Sequence, residues 1–171
     1  MSRGNAQVTN AINIIQQEWF KVSSTKASNP LDVEDYLDCI ENISKDLLAQ
    51  VVNLTDVNGN SALHYSVSHG NFDVVSILLD SKVANPNIMN KAGYTCIMLI
   101  SLASLATDIH RSVVERLFST GDVNIRATQH GQTALMLAVS HGRLDMVEVE
   151  GRGKRLKSEQ EQRRRRVNHR L

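Results

Sequence analysis

The chain has 171 residues, of which 42% are hydrophobic and only 4% aromatic, so it is long enough for a domain with an aliphatic core. Its net charge of +1 conceals two unlike parts. Residues 1–147 hold ten Lys and Arg against fourteen Asp and Glu, a net −4, whereas residues 148–171 hold nine against four, a net +5. No run approaches the roughly 18 apolar residues of a membrane helix, and Met1-Ser2-Arg3-Gly4-Asn5 lacks the apolar core of a secretory signal. Cys39 and Cys96 have no partner at metal-ligand spacing. An intracellular, reducing location is therefore expected, with both thiols as packing residues.

From the N-terminus, residues 6–24 carry Val8, Ala11, Ile12, Ile15, Trp19 and Val22 three or four apart, which predicts one amphipathic helix. Asn29 followed by Pro30 reads as an N-cap with proline at the first helical position, and Val33, Tyr36, Leu37 and Ile40 form the next stripe. A short third helix after Ser44 buries Leu47, Leu48, Val51 and Val52, with Asp46 near the positive end of the helix dipole. Residues 1–53 thus form an N-terminal helical cap or, alternatively, a separate helical partner domain.

Three similar passages follow. Asp56-Val57-Asn58-Gly59-Asn60-Ser61-Ala62-Leu63-His64-Tyr65 aligns with Asn90-Lys91-Ala92-Gly93-Tyr94-Thr95-Cys96-Ile97-Met98-Leu99 and with Thr128-Gln129-His130-Gly131-Gln132-Thr133-Ala134-Leu135-Met136-Leu137. The pattern is similar to the ankyrin repeat D-x-x-G-x-T-P-L-H, and the glycines recur after 34 and 38 residues, against about 33 for that repeat. Each Gly permits φ > 0 in a turn, and Ser61, Thr95 and Thr133 then cap a first helix. A second helix is predicted over 73–79 and over 112–118. The repeats are placed at 54–87, 88–125 and, in part, 126–147. Thr95 to Gly121 is five residues longer than Ser61 to Lys82, which predicts an extended interhelical loop around 105–109 with Asp108 capping the helix beyond it. The fold class expected is an all-α ankyrin-repeat solenoid of helical hairpins behind a helical cap.

Gln17-Glu18-Trp19-Phe20, the run from Val52 to Gly70, Asn90 to Thr95 and Gly131 to Arg143 closely resemble the C-terminal ankyrin domain of the Kank family, the KN motif and ankyrin repeat proteins. The likeness covers about residues 10–147 and includes the longer second repeat. It implies a cytoplasmic adaptor at the cell cortex that links adhesion and actin regulation to microtubules, with the ankyrin domain binding a kinesin-4 motor peptide. The chain departs from that pattern after Met146-Val147, where Glu148-Val149-Glu150-Gly151-Arg152-Gly153 replaces an apolar second helix, and it lacks the KN segment. It reads as a fragment or an alternative product.

Nothing in the sequence announces catalysis. There is no phosphate-binding Gly loop, no G-x-S-x-G elbow and no paired carboxylates with an evident cleft, so no enzyme activity, cofactor or small-molecule substrate is expected. Among the histidines, His64 stands at the ankyrin T-P-L-H position and joins adjacent fingers, His69 and His141 end first helices before Gly70 and Gly142, and His110, His130 and His169 lack ligand-spaced neighbours.

The function expected is therefore non-catalytic binding of a protein segment on exposed finger and first-helix residues. These are Val57, Asn58, Asn60, Ser68 and His69; Lys91, Tyr94, Leu102 and Ala103; and Gln129, His130, Gln132, Ser140 and His141. Tyr94 and Leu102 are the expected apolar anchors, unless the second-repeat loop covers them.

Residues 148–171 are expected to be disordered, or at most a charged helix extending outward. Lys154, Arg155, Lys157 and Arg163 to Arg166 offer an alternative function, nuclear targeting or nucleic-acid association, without the interleaved aromatics of single-strand binders. With the third repeat cut short, Leu135, Leu137, Val139, Leu144 and Val147 are expected to lie exposed, which predicts marginal stability and a tendency to associate.

Overall fold

The computed structural model describes residues 3–168, with side chains over 7–165. The side chains of Arg166 and Val167, and His169 and Leu171 altogether, lie outside the described residues. Among the described residues the secondary structure is helical apart from one isolated antiparallel bridge between Met89 and Thr95. The chain divides into two compact units, Met1–Ala84 and Asn85–Leu171.

The first unit holds α1 Arg3–Ser23, α2 Pro30–Ile43, α3 Lys45–Val52, α4 Ala62–His69 and α5 Phe72–Asp80. Local chemistry sets these boundaries. Asn29 Oδ1 accepts from the Leu31 N–H at 3.0 Å ahead of Pro30, as predicted. Extended backbone at Ser44 ends α2 by donating its N–H to the Ile40 carbonyl and starts α3 by accepting from the Leu47 N–H at 3.3 Å. Trp19 is fully buried against Tyr36, with ring centroids 5.5 Å apart, and Val33, Leu37, Ile40, Leu48, Val51 and Val52 join it in the core.

The cap meets the first hairpin helix for helix, α1 against α4 and α2 against α5. Two amides stitch the join, Asn71 Nδ2 to the Ser28 carbonyl at 2.9 Å and Asn53 Nδ2 to the Val83 carbonyl at 2.8 Å. The predicted stripe of α1 is realised only in its second half. Val8 is 60% exposed and Ile12 48%, because the neighbouring helices α2, α3 and α4 have 14, 8 and 8 residues and do not reach the length of a 21-residue helix. Cys39, expected to pack, is also exposed.

The second unit holds α6 Cys96–Ile100, α7 Asp108–Thr120, α8 Ala134–Ser140 and α9 Leu144–Asn168. Its first helix is short. Buried Ser101 ends α6 with its hydroxyl on the Ile97 carbonyl at 2.7 Å, so Leu102 and Ala103, expected at the end of that helix, lie in the loop beyond it. Thr107, not Asp108, caps α7, accepting from the His110 N–H at 3.2 Å. Within this unit α6 stacks on α8, and Gly93 in the second finger comes so near the third that an added Cβ would lie 1.9 Å from Thr128 Oγ1.

The largest departure from the sequence reading is α9. The second helix of the third hairpin is not cut after Val147; it continues without a break to Asn168. Met146, Val149, Glu150 and Gly153 are buried at helical spacing, and α9 packs on α7 and α8. Leu137, expected to be exposed, is therefore buried at 3%, and Leu135 and Val147 are half-buried. Val139 and Leu144 do remain exposed.

Two features let so polar a sequence hold its place. Gly153 permits close approach, since a Cβ there would stand 2.6 Å from Phe118 Cβ and 3.0 Å from the Glu115 carbonyl. Charged groups then fix the helix. Lys154 pairs with buried Glu150 at 2.8 Å, Arg152 lies 3.5 Å from Glu115, and Lys157 Nζ donates to the Gly121 carbonyl at 2.8 Å, just past the C-terminus of α7.

Candidate functional site

The first finger is the most tightly wired surface element. The Asp56 N–H donates to the Asn60 carbonyl and the Gly59 N–H to the Asp56 carbonyl, both at 3.0 Å, which closes the turn. The Asp56 carboxylate then collects donors. Oδ1 accepts from the N–H groups of Asn58 and Asn60, each at 2.9 Å, and Oδ2 accepts from the Tyr65 hydroxyl. Desolvation pushes the Asp56 pKa upward, yet the bonds from Tyr65, Asn60 and Asn58, with nearby His64, win, and it lies below the ordinary value. The bond to Asp56, followed by desolvation, raises the Tyr65 pKa. A finger braced in this way projects Val57, 80% exposed, as a fixed apolar tip.

Beside it, in the same unit, a row of rings runs from α1 to α4. Phe20 meets Tyr65 edge-on at 6.1 Å, and Tyr65 stacks on His69 at 6.1 Å. The groove at this place has a volume of about 570 Å³, with Phe20, Tyr65 and Val57 as its apolar surfaces and the carboxamides of Asn13 and Gln17 among its polar ones. Aromatic floors carry binding energy at interfaces, and carboxamides can pair with a bound backbone in either sense. His64, next in sequence to Tyr65, is buried and structural. Its Nδ1 accepts from the Ser61 N–H at 3.1 Å, completing a capping box at the start of α4.

Of the predicted surface residues in the first unit, Val57, Asn58, Ser68 and His69 are exposed and Asn60 is half-buried. Phe20, Tyr65, Asn13 and Gln17 were not anticipated. Phe20 and Gln17 belong to the quoted cap motif and Tyr65 directly follows His64, but a reading for helical stripes selects the apolar face of α1 and passes over the polar face that borders this groove.

In the second unit, Asn90 closes its finger through the Tyr94 N–H, which lies 3.0 Å from Asn90 Oδ1. Lys91 is exposed, whereas the expected anchors Tyr94 and Leu102 are half-buried, as is Ala103. The third finger is one residue longer in its turn, with the Gly131 N–H reaching the Ala127 carbonyl at 2.9 Å. Thr128 stands where the other fingers have Asp56 and Asn90, and Arg126 braces the turn by donating to the Gly131 carbonyl at 2.9 Å. Gln129, His130, Ser140 and His141 are exposed and Gln132 is half-buried.

Among the described residues no three His, Cys, Asp or Glu side chains come together to hold a metal ion, and no helix is long and apolar enough to cross a membrane. The Cys96 thiol is buried, 3.4 Å from the Pro86 carbonyl, and burial pushes its pKa up to about 12, far from the thiolate a nucleophile needs.

Among the described residues each hairpin opens with a glycine turn and a Ser or Thr at the start of its first helix, the build of a helical repeat protein. A family model described as Ankyrin repeat matches residues 58–91 and 130–149. The chain carries ankyrin repeats, its fold class is all-α as expected, and these repeats mark a protein–protein interaction module. The Nuclear factor NF-kappa-B p105 subunit of Gallus gallus is 34% identical over 91 residues, a stretch that covers 52% of this chain and 9% of that protein.

Proposed function

We propose that this chain is a cytoplasmic adaptor that holds a short segment of a protein partner, with the groove of the first unit as its principal recognition surface. The observation that carries the reading is the braced first finger, which sets Val57 beside the Phe20–Tyr65–His69 row and the carboxamides of α1. An apolar side chain of the partner sits on the rings, and its backbone pairs with Asn13 and Gln17. The further predicted positions, Lys91, Tyr94, Leu102, Gln129, His130, Gln132, Ser140 and His141, lie in the second unit. The Kank-like residues of the cap and the fingers support a kinesin-4 motor peptide as the partner and a role in actin and microtubule regulation at the cell cortex.

The nuclear or nucleic-acid reading of the basic segment is less favoured, because Lys154 and Lys157 are engaged in holding α9 and the exposed Arg163 to Arg165 have no aromatic residue interleaved with them. Isothermal titration of the full chain with a kinesin-4 motor peptide tests the proposal. The full chain is required, since a fragment ending at 147 would sever α9 in its first turn. Micromolar binding, about −8 kcal/mol, is expected. Val57→Asp should weaken it at least tenfold, and Tyr94→Ala should weaken it less. Failure of the folded chain to bind removes the motor peptide as partner, and binding unaffected by Val57→Asp removes the first-unit groove as the site.

A further inference from the structure

The first unit has a second groove, with none of its lining residues in the recognition groove. Glu34, Leu37, Asp38 and Glu41 stand at i, i+3, i+4 and i+7 of α2 and therefore form one strip along that helix. Leu48 of α3 and Ile77 of α5 complete the apolar floor of a hollow of about 140 Å³. The carboxylates of Glu34, Asp38 and Glu41 on exposed residues stand around it, so the groove suits one aliphatic side chain flanked by cations.

We infer that this groove takes the C-terminal half of α9 from a second copy of the chain. Charge complementarity selects that occupant. Residues 1–84 hold five Lys and Arg against ten Asp and Glu, a net −5, and residues 85–171 hold fourteen against eight, a net +6. Within α9, Arg152, Lys154 and Lys157 serve the helix's own unit, so the outward positive charge sits on exposed Arg155 and Arg163 to Arg165.

The same helix supplies the aliphatic group. Leu156 is 38% exposed, and Arg163 and Arg164 stand seven and eight residues beyond it on the same helical face. Both strips thus run two helical turns, about 10 Å. Guanidinium–carboxylate pairing gives the contact its direction. Groove and helix are different surfaces, so the contact is heterologous, head-to-tail. Exposed ion pairs contribute little each and are screened by salt, which makes the assembly weak and salt-sensitive.

Sedimentation equilibrium of the full chain tests this directly. In about 20 mM salt the weight-average mass should rise above the 19.0 kDa of one chain with increasing concentration, and in about 500 mM salt, where the Debye length falls to a few Å, it should return to that value. Glu34→Lys/Glu41→Lys, and separately Arg163→Glu/Arg164→Glu/Arg165→Glu, should each remain monomeric, while an equimolar mixture of the two should associate. The milder Glu34→Gln/Glu41→Gln should weaken association without reversing charge, and far-UV circular dichroism checks that each variant is folded. A wild-type chain that stays at 19.0 kDa throughout overturns the proposal. So does association that survives high salt or the charge reversals, which would place the contact on the exposed Val139 and Leu144 of the third hairpin.

Discussion

The first and third hairpins solve one problem, holding a second helix in place, with opposite means. α5 does it with area. Phe72, Val74, Val75, Leu78 and Leu79 are buried in nine residues, and Asn71 caps the helix. α9 buries Met146 and Val149 with Glu150 and Gly153 and relies on a close glycine contact and on Lys154, Arg152 and Lys157. The fingers differ in parallel, a carboxylate with three donors in the first and an arginine brace on a longer turn in the third. An ankyrin-type hairpin can thus be completed by steric fit and charge where apolar burial is scarce.

Substitutions that remove each means in turn should separate the two hairpins. Leu78→Ala, at a fully buried site of α5, should cost about 2–5 kcal/mol. Trp19 is the only tryptophan and is buried in the same unit, so its fluorescence during urea unfolding reads that loss. Gly153→Val should overpack the α7–α9 contact and cost about 1–3 kcal/mol, seen as lost far-UV ellipticity at lower urea than the Trp19 transition. An unchanged profile for this variant would mean that α9 does not depend on close approach.

Lys157→Met keeps the stem and removes the bond to the Gly121 carbonyl. A loss of about 1 kcal/mol is expected, read as roughly fivefold faster amide exchange over residues 150–157.

The smallest effect is the pH dependence of the first finger. The folded-state pKa of Asp56 is lowered, so its contribution is fully present above the unfolded value of about 3.9 and is lost as pH falls through the lower folded value. The difference in urea midpoint between wild type and Asp56→Asn should therefore shrink on acidification below about pH 4. A difference that stays constant would show that the carboxylate's charge does not brace the finger.

Much of this architecture is legible in the sequence because its cause is local. A glycine with φ of 78°, 86° or 63° at Gly59, Gly93 and Gly131, followed two residues later by a capping hydroxyl, is a short-range device that survives without knowledge of neighbours. The caps at Asn29 and Ser44 are equally local, and so is the turn at Lys82, where φ is +59° in place of a glycine. The candidate groove was only half visible. Val57, Asn58 and His69 follow from repeat position, but Phe20 and Tyr65 become one surface only when α1 lies against α4.

What the sequence alone determined is thus the repeat, its caps and its hairpin order, since each depends on residues a few positions apart. Tertiary structure decided the exposure of the first half of α1 and the fate of residues 148–168. Nothing in Glu150, Gly153 or Lys157 signals a packed helix by hydrophobicity. Their value arises from what they meet, namely a cationic partner one turn away, the wall of Phe118 and the carbonyl of Gly121.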